Sequence, residues 1–231
     1  QSSNGRFGTS VSINSDGTRI VVSAPFVYNA ANFIDAGAVY VYEFTDLNGW
    51  VQLLHTLYGG ASNDEFGTSV SMNSDGSRIV VGAPFVDNPS GSPDAGAVNI
   101  YEYQGANGWI TVGSTLYGSG QFGRSVSMDS TGDRIIGGGK IPSSSVGEAE
   151  VYIYNESLSA WSQYGNTLNG VAASTHFGTV VAISGDGHTI SLGDHSQHGF
   201  YASPRGTVYT FTTYDLQFAQ ILSVTDTLSI Q

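Results

Sequence analysis

The residues with the clearest capacity for chemistry are histidines and carboxylates set among small polar side chains. Asp194-His195-x-x-His198 puts two imidazoles and a carboxylate in one short segment, and His176 lies shortly upstream. Such a set could hold zinc or copper through ring nitrogens and one oxygen. A His-x-x-His pair on a loop lacks the helical spacing that aims both rings at one ion, so a polar loop is the better reading and no metal is favoured. A second group comprises Asp35, Asp64, Glu65, Asp87 and Asp94, with Tyr28 and Asn29. It has the donors and acceptors to bind a protein or glycan, and equally the character of solvated loop residues. Asp64-Glu65 is a carboxylate pair, but on an exposed loop nothing apolar would raise a pKa for acid–base work. No Gly-x-Ser-x-Gly elbow is present, and no catalytic residue is assigned. Asn155-Glu156-Ser157 is the single Asn-x-Ser/Thr sequon, an acceptor for glycan if the chain is secreted by a eukaryote.

Composition narrows the partners. The 231 residues hold 7 Lys+Arg against 19 Asp+Glu, a formal net charge of -12 that repels nucleic-acid phosphates and anionic membrane surfaces. No stretch approaches the roughly 18 apolar residues of a membrane helix. Zero cysteines remove disulfides, thiolate catalysis and cysteine zinc sites together. Only 11% of residues are charged, against about 25% in an ordinary soluble domain, and Ser, Thr, Asn, Gly and Gln supply the polarity. That surface suits an extracellular protein, a cell surface or a virion exterior. With no initiating Met and no signal peptide, the chain is expected to be a processed product or a piece of a longer one.

The elements that would position these residues come from a repeat. FGTSVSINSDGTRIVVSAP from Phe7, FGTSVSMNSDGSRIVVGAP from Phe66, FGRSVSMDSTGDRIIGGGK from Phe122 and FGTVVAISGDGHTISLGDH from Phe177 align without gaps. Each is followed by a second landmark, at Gly37, Gly96, Gly147 and Gly206. An aromatic comes next in the first three copies, Trp50, Trp109 and Trp161, and then a Thr-Leu pair. In the fourth copy Phe218 or Ile221 stands in for the Trp, and Thr227-Leu228 for the pair.

Each copy reads as four strands. The first alternates apolar and small polar residues, the period of a half-buried strand. Asp-Gly follows in copies one, two and four, a strong hairpin signal. The second strand is a β-branched run closed by Pro25 or Pro84, the third is rich in Val and Tyr, and the fourth runs from the Trp to the Thr-Leu. Four strands and their connections account for a period of roughly 56 residues. The expectation is an all-β chain, one domain over residues 1–231 built as a β-propeller of four tandem four-stranded antiparallel blades. The blades span about 7–58, 66–117, 122–169 and 177–230. A β-sandwich gives no reason for so regular a period. The ring is either closed with four blades or part of a larger one, and an arc, or a ring completed within an assembly, is the preferred form. The three Trp residues should be equivalent and largely buried.

These motifs resemble the FG-GAP repeat, whose name describes Phe-Gly at the first strand and Gly-Ala-Pro at the end of the second. Here they are Phe66-Gly67 and Gly82-Ala83-Pro84, with Ser23-Ala24-Pro25 a near match. The resemblance implies a propeller of the kind found in integrin α subunits. In that version the first turn binds calcium through a D-x-D/N-x-D-G-x-x-D loop. Mapped here, the first copy offers Ser12, Asn14, Asp16 and Ile20, the second Ser71, Asn73, Asp75 and Ile79, and the third Asp129 and Asp133 with Thr131 at the turn Asp. One carboxylate per loop in the first two copies cannot neutralise a divalent ion, so these are read as plain hairpin turns. Calcium is disfavoured and no cofactor is assigned.

Arg19, Arg78 and Arg134 recur just after the turn. A basic ligand stripe is one reading; pairing with a neighbouring carboxylate such as Glu43 or Glu102 is the better one. Tyr40, Tyr42, Tyr101, Tyr152, Tyr154 and Tyr209 are read as packing between blades rather than sugar platforms. The connections from strand two to three, Phe26 to Ala36, Phe85 to Ala95, Ile141 to Val146 and His195 to Arg205, look long and dissimilar, and they share one face with the connections to the next copy. A constant scaffold carrying variable tips reads as a non-catalytic module for adhesion or scaffolding. Its partners would be other proteins or surface glycans. A lectin-like propeller is the alternative and a hydrolase the third reading.

Overall fold

The computed structural model describes residues 5–141, 146–170, 176–195, 206–212, 216 and 227–228. They form four antiparallel sheets in chain order. Sheet I comprises β1 (Val11–Ile13), β2 (Arg19–Ala24), β3 (Ala38–Thr45), β4 (Gly49–Gln52) and β5 (Leu57–Tyr58). Sheet II comprises β6 (Ser69–Met72), β7 (Arg78–Ala83), β8 (Ala97–Tyr103), β9 (Trp109–Thr111) and β10 (Leu116–Tyr117). Sheet III comprises β11 (Ser125–Met128), β12 (Arg134–Ile141), β13 (Val146–Asn155), β14 (Ala160–Gln163) and β15 (Leu168–Asn169), and sheet IV β16 (Val180–Ile183), β17 (Thr189–Asp194), β18 (Thr207–Thr212) and β19 (Thr227–Leu228). The order within each sheet follows the chain, as hairpin-linked strands require.

The expected fourth strand is two strands. β4 and β5 both pair with β3, and the same holds for β9 and β10 on β8 and for β14 and β15 on β13. The break falls at Leu54, Gly113 and Gly165, which occupy one repeat position with φ of 52°, 71° and 77°. A left-handed residue cannot continue a pleated ladder. Phe218 and Ile221 lie outside the described residues.

The turn between the first two strands closes on its own side chains. Asn14 Oδ1 accepts the Arg19 N–H at 2.8 Å, Asn73 Oδ1 that of Arg78 at 2.9 Å, and Asp129 Oδ1 those of Gly132, Asp133 and Arg134 at 2.8–3.1 Å. Asp16 and Asp75 each accept the N–H two residues on. Two of the three arginines beyond the turn pair as expected, Arg19 with Glu43 at 2.7 Å and Arg78 with Glu102 at 2.9 Å, whereas Arg134 has Ile153 opposite it on the next strand and donates to the Gly187 carbonyl at 3.0 Å. Arg19 and Arg78 also reach the next sheet. Arg19 donates to the Gly76 carbonyl and lies over the Tyr103 ring. Arg78 donates to the Gly132 carbonyl, pairs with Asp133 and lies over the Tyr154 ring.

The core is three layers, one between each successive pair of sheets. Val21, Val39 and Val41 of sheet I meet Phe66, Val70, Met72 and Ile79 of sheet II. Val80, Val98 and Ile100 meet Phe122, Val126 and Met128. Ile136, Ala149 and Val151 meet Phe177, Val181 and Phe211. Backbones come close enough here that a side chain at Gly96 would overlap the Phe122 main chain, which explains the glycine opening the third strand.

A ladder of serines runs along the first strands. Ser10 and Ser12 Oγ accept the N–H groups of Val70 and Met72 at 3.1 and 3.2 Å. Ser69 and Ser71 do the same for Val126 and Met128, and Ser125 and Ser127 for Val181 and Ile183. The alternation thus buries valines toward one sheet and offers hydroxyls to the next.

β1 packs on β6, β6 on β11 and β11 on β16, and among the described residues no comparable packing joins β16 to β1. The face of sheet I that would meet a preceding sheet is open. Phe7 is 60% exposed where Phe66 is 3% and Phe122 0%. The equivalence expected of the tryptophans breaks for the same reason. Trp161 is 8% exposed and donates to the Val112 carbonyl at 2.9 Å, Trp109 is partly buried against sheet I, and Trp50, with no sheet in front of it among the described residues, is 45% exposed.

Candidate functional site

One rim of the molecule collects the connections from strand two to three and the segments before each Phe-Gly. They are stitched together by main-chain bonds. Asn63 and Glu65 donate to the carbonyls of Ile34 and Asp35, and Gln121 donates to that of Asp94. The two kinds of connection therefore share one face, as expected.

The first two loops differ from expectation. Their sequences diverge, but their backbones follow one plan. Asn29 Oδ1 accepts the N–H groups of Ala31 and Phe33 at 2.9 and 3.1 Å; Asn88 Oδ1 accepts those of Ser90 and Ser92, both at 3.0 Å. Each loop then closes through a left-handed aspartate, Asp35 at φ 50° and Asp94 at φ 49°. Asn29 further donates to the Gly59 carbonyl at 3.1 Å. The half-buried asparagine side chain joins the main-chain bonds that close each loop, Asn29 N–H to the Phe33 carbonyl at 3.3 Å and Asn88 N–H to the Ser92 carbonyl at 3.1 Å, which leaves the intervening side chains free to vary. Tyr28 and Asp87 occupy one position, Phe33 and Ser92 a second, Ile34 and Pro93 a third, and all are exposed.

The carboxylates gather at this rim, but not as equals. Asp64 is buried and spends one oxygen on the N–H groups of Gly60 and Ala61, at 3.0 and 2.7 Å. Burial raises its pKa, and the nearby Asp87 charge adds to this. Glu65, left-handed at φ 49°, is raised by burial and by Asp35, with Arg124 and Arg6 opposing. The expectation that nothing there would raise a pKa is thus corrected: the loops themselves desolvate both groups. Asp87 accepts the Asp94 N–H at 3.0 Å. Arg6, Glu65, Gln121 and His176 hold one repeat position, immediately before each Phe-Gly. Arg6 and Arg124 bring positive charge to an acidic rim, which sequence reading overlooked.

The histidines lie at the fourth unit's end of the rim. The rings of His176 and His195 approach to 4.3 Å between centroids, and Asp194, buried, accepts the His176 main-chain N–H at 3.0 Å. Burial and the neighbouring His195 lower the His176 pKa. His198 lies outside the described residues, and among the described residues no three His, Asp or Glu side chains group to hold a metal. Asn155 is exposed at the end of β13, where its Oδ1 accepts the Leu158 N–H at 3.1 Å.

Two sets of residues escaped the sequence reading. One is the serine ladder, signalled by Ser-x-Ser in three copies and its replacement by Val180-x-Ala182 in the fourth. The other is Glu148, a buried carboxylate whose pKa burial raises and which accepts the Ser119 hydroxyl at 2.7 Å.

No protein of curated function matches the chain. Among solved structures, a Bacteroides uniformis protein provisionally described as a 6-phosphogluconolactonase aligns with a TM-score of 0.56 at 11% identity, over 97% of this chain and 56% of that one. Hsv2p of Kluyveromyces lactis aligns with a TM-score of 0.52 at 11% identity, over 89% of this chain and 50% of that one. The chain spans about half the length of each, and at such identity the likeness is one of fold alone. The sequence also matches the FG-GAP repeat model at residues 1–42 and 56–101, which hold the first two Phe-Gly motifs and the turns and strands that follow them. Residues 1–42 and 56–101 are FG-GAP repeats.

Proposed function

We propose that this chain is a non-catalytic propeller-type module that binds other proteins through its loop rim, in adhesion or scaffolding at an extracellular, cell or virion surface. One observation carries the reading. Two loops share an asparagine-pinned backbone while their exposed tips differ, Tyr28, Phe33 and Ile34 against Asp87, Ser92 and Pro93. Constant framework with variable tips is how recognition surfaces diversify. The rim mixes apolar tips with carboxylates and two arginines, a composition suited to a protein partner. The low share of charged residues fits an exterior setting, and Asp64 is committed to holding its turn rather than to proton transfer.

The test is binding of the chain to panels of immobilised surface proteins and glycans, beside assays for hydrolysis. A protein ligand lost by the combined Tyr28→Ala, Phe33→Ala, Asp87→Asn variant supports the reading. Glycan binding without protein binding favours the lectin alternative, and turnover of a substrate overturns the non-catalytic claim.

A further inference from the structure

Positive charge is scarce in this chain, and most of it is already engaged. Of the 7 Lys and Arg residues, Arg19 and Arg78 pair with carboxylates, Arg134 donates to the Gly187 carbonyl and Arg6 lies over the Phe26 ring. Arg205 lies outside the described residues. Arg124 and Lys140 remain, and among the described residues neither forms an ion pair. Arg124 is exposed, and its guanidinium donates to Gln121 Oε1 at 3.2 Å. Lys140, the single lysine, is half-buried near the end of β12.

The backbone brings both to the histidines. Lys140 stands opposite Gly147 on β13, and residues paired across strands point to one face. A side chain at Gly147 would overlap the Phe177 main chain, so Lys140 faces the segment that carries His176. A side chain at the adjacent Gly139 would overlap Gly120 and Gln121, which sets this end of β12 between the segments that precede Phe122 and Phe177. The Thr179 hydroxyl donates to the His176 carbonyl at 2.7 Å and lies 3.5 Å from His195 Nδ1, holding the two imidazoles side by side. Burial, His195, Lys140 and Arg124 all lower the His176 pKa, with Asp194 opposing. That carboxylate is buried and accepts the His176 main-chain N–H.

We propose that Arg124, Lys140, His176 and His195 form a binding site for a tetrahedral oxyanion, a sulfate or phosphate group. Guanidinium, ammonium and imidazolium groups crowded together repel one another until an anion joins them, and each donates a charge-assisted hydrogen bond to its oxygens. Donors that arrive from separate segments suit a tetrahedral anion better than a planar carboxylate, which a single guanidinium fork satisfies. A bound dianion favours the imidazolium forms, so binding takes up protons and tightens as pH falls. The site goes beyond the reading of the loop tips and stands independently of it.

Sodium sulfate is the probe, against sodium chloride at matched ionic strength. Followed by NMR on the natural chain, the imidazole pKa values of His176 and His195 should rise in sulfate, while those of His55 and His188 stay fixed. Calorimetric titration should show sulfate bound at least about threefold more tightly near pH 5.5 than near pH 7.5. Arg124→Gln and Lys140→Gln, each folded by circular dichroism, should each weaken sulfate by at least about fivefold. The combined Tyr28→Ala, Phe33→Ala, Asp87→Asn variant should bind it unchanged, which separates this site from the loop tips. N-acetylglucosamine 6-sulfate bound more tightly than sulfate would place the group on a glycan, and equal affinity would make the free ion sufficient; either supports the site. Histidine pKa values identical in sulfate and chloride, or a sulfate response kept in full by both glutamine variants, overturn it.

Discussion

Replacing each of the three tryptophans in turn tests the stacking of the sheets. They share a repeat position, so any difference between them comes from what lies in front. Trp161 is 8% exposed, packs on Tyr154 at 5.1 Å between centroids and donates to Val112 O. Truncation to Ala removes a large buried ring and leaves a carbonyl unpaired, a loss of about 4–5 kcal/mol. Trp50 is 45% exposed and touches Phe44 at 5.5 Å, with no sheet before it; at about half the burial, its loss costs about 1–2 kcal/mol. The N–H decides a finer contrast. Trp109 Nε1 is buried without an acceptor, so Trp109→Phe should be neutral or stabilising, whereas Trp161→Phe forfeits a hydrogen bond worth about 1 kcal/mol. Urea unfolding followed by circular dichroism reads all four variants. Equal costs at Trp50 and Trp161, or a penalty for Trp109→Phe matching that of Trp161→Phe, would refute the reasoning.

Acid should first stabilise the fold. Asp64, Glu65 and Glu148 have folded pKa values raised by burial, so each contributes most below its unfolded value and loses that contribution as pH rises through the folded one. The melting temperature should therefore rise as pH falls from neutral through the raised folded values, then fall as the lowered Asp16, Asp75 and Asp186 take protons, and a monotonic fall from about pH 7 would contradict this. Arg78→Ala should lower the urea midpoint more than Arg19→Ala, because Arg78 also pairs with Asp133 across the interface. Ser125→Ala should cost about 1 kcal/mol in urea by leaving the Val181 N–H without its acceptor. A chelator should leave the melting temperature unchanged, because the turn oxygens are taken by main-chain N–H groups and threonine hydroxyls, and a drop of several degrees would contradict this.

The repeat was legible because each unit solves the same local problem. Phe-Gly, Asp-Gly and the β-branched run set strand, turn and strand through short-range chemistry, and even the Arg19–Glu43 pairing follows from strand register. Other features depend on neighbours that a single copy does not carry. Trp50 looks like Trp161 until the sheet in front is missing. Leu54 gives no sign of a left-handed backbone, although Gly113 and Gly165 at the same position do. The common plan of the first two loops hung on Asn29 and Asn88, obscured by the different residues around them. The serines read as ordinary alternation, since what they accept lies about one repeat away.

Amide exchange along the first strands is the most direct measurement of how these sheets stack. The N–H groups of Val70, Met72, Val126, Met128, Val181 and Ile183, each held by a serine of the sheet before, should exchange slowly. Those of Val11 and Ile13, on an open face, should exchange much faster. Equal protection at Val11 and Ile13 in the isolated chain would show that sheet I is already covered, and would contradict a row of four sheets open at its first face.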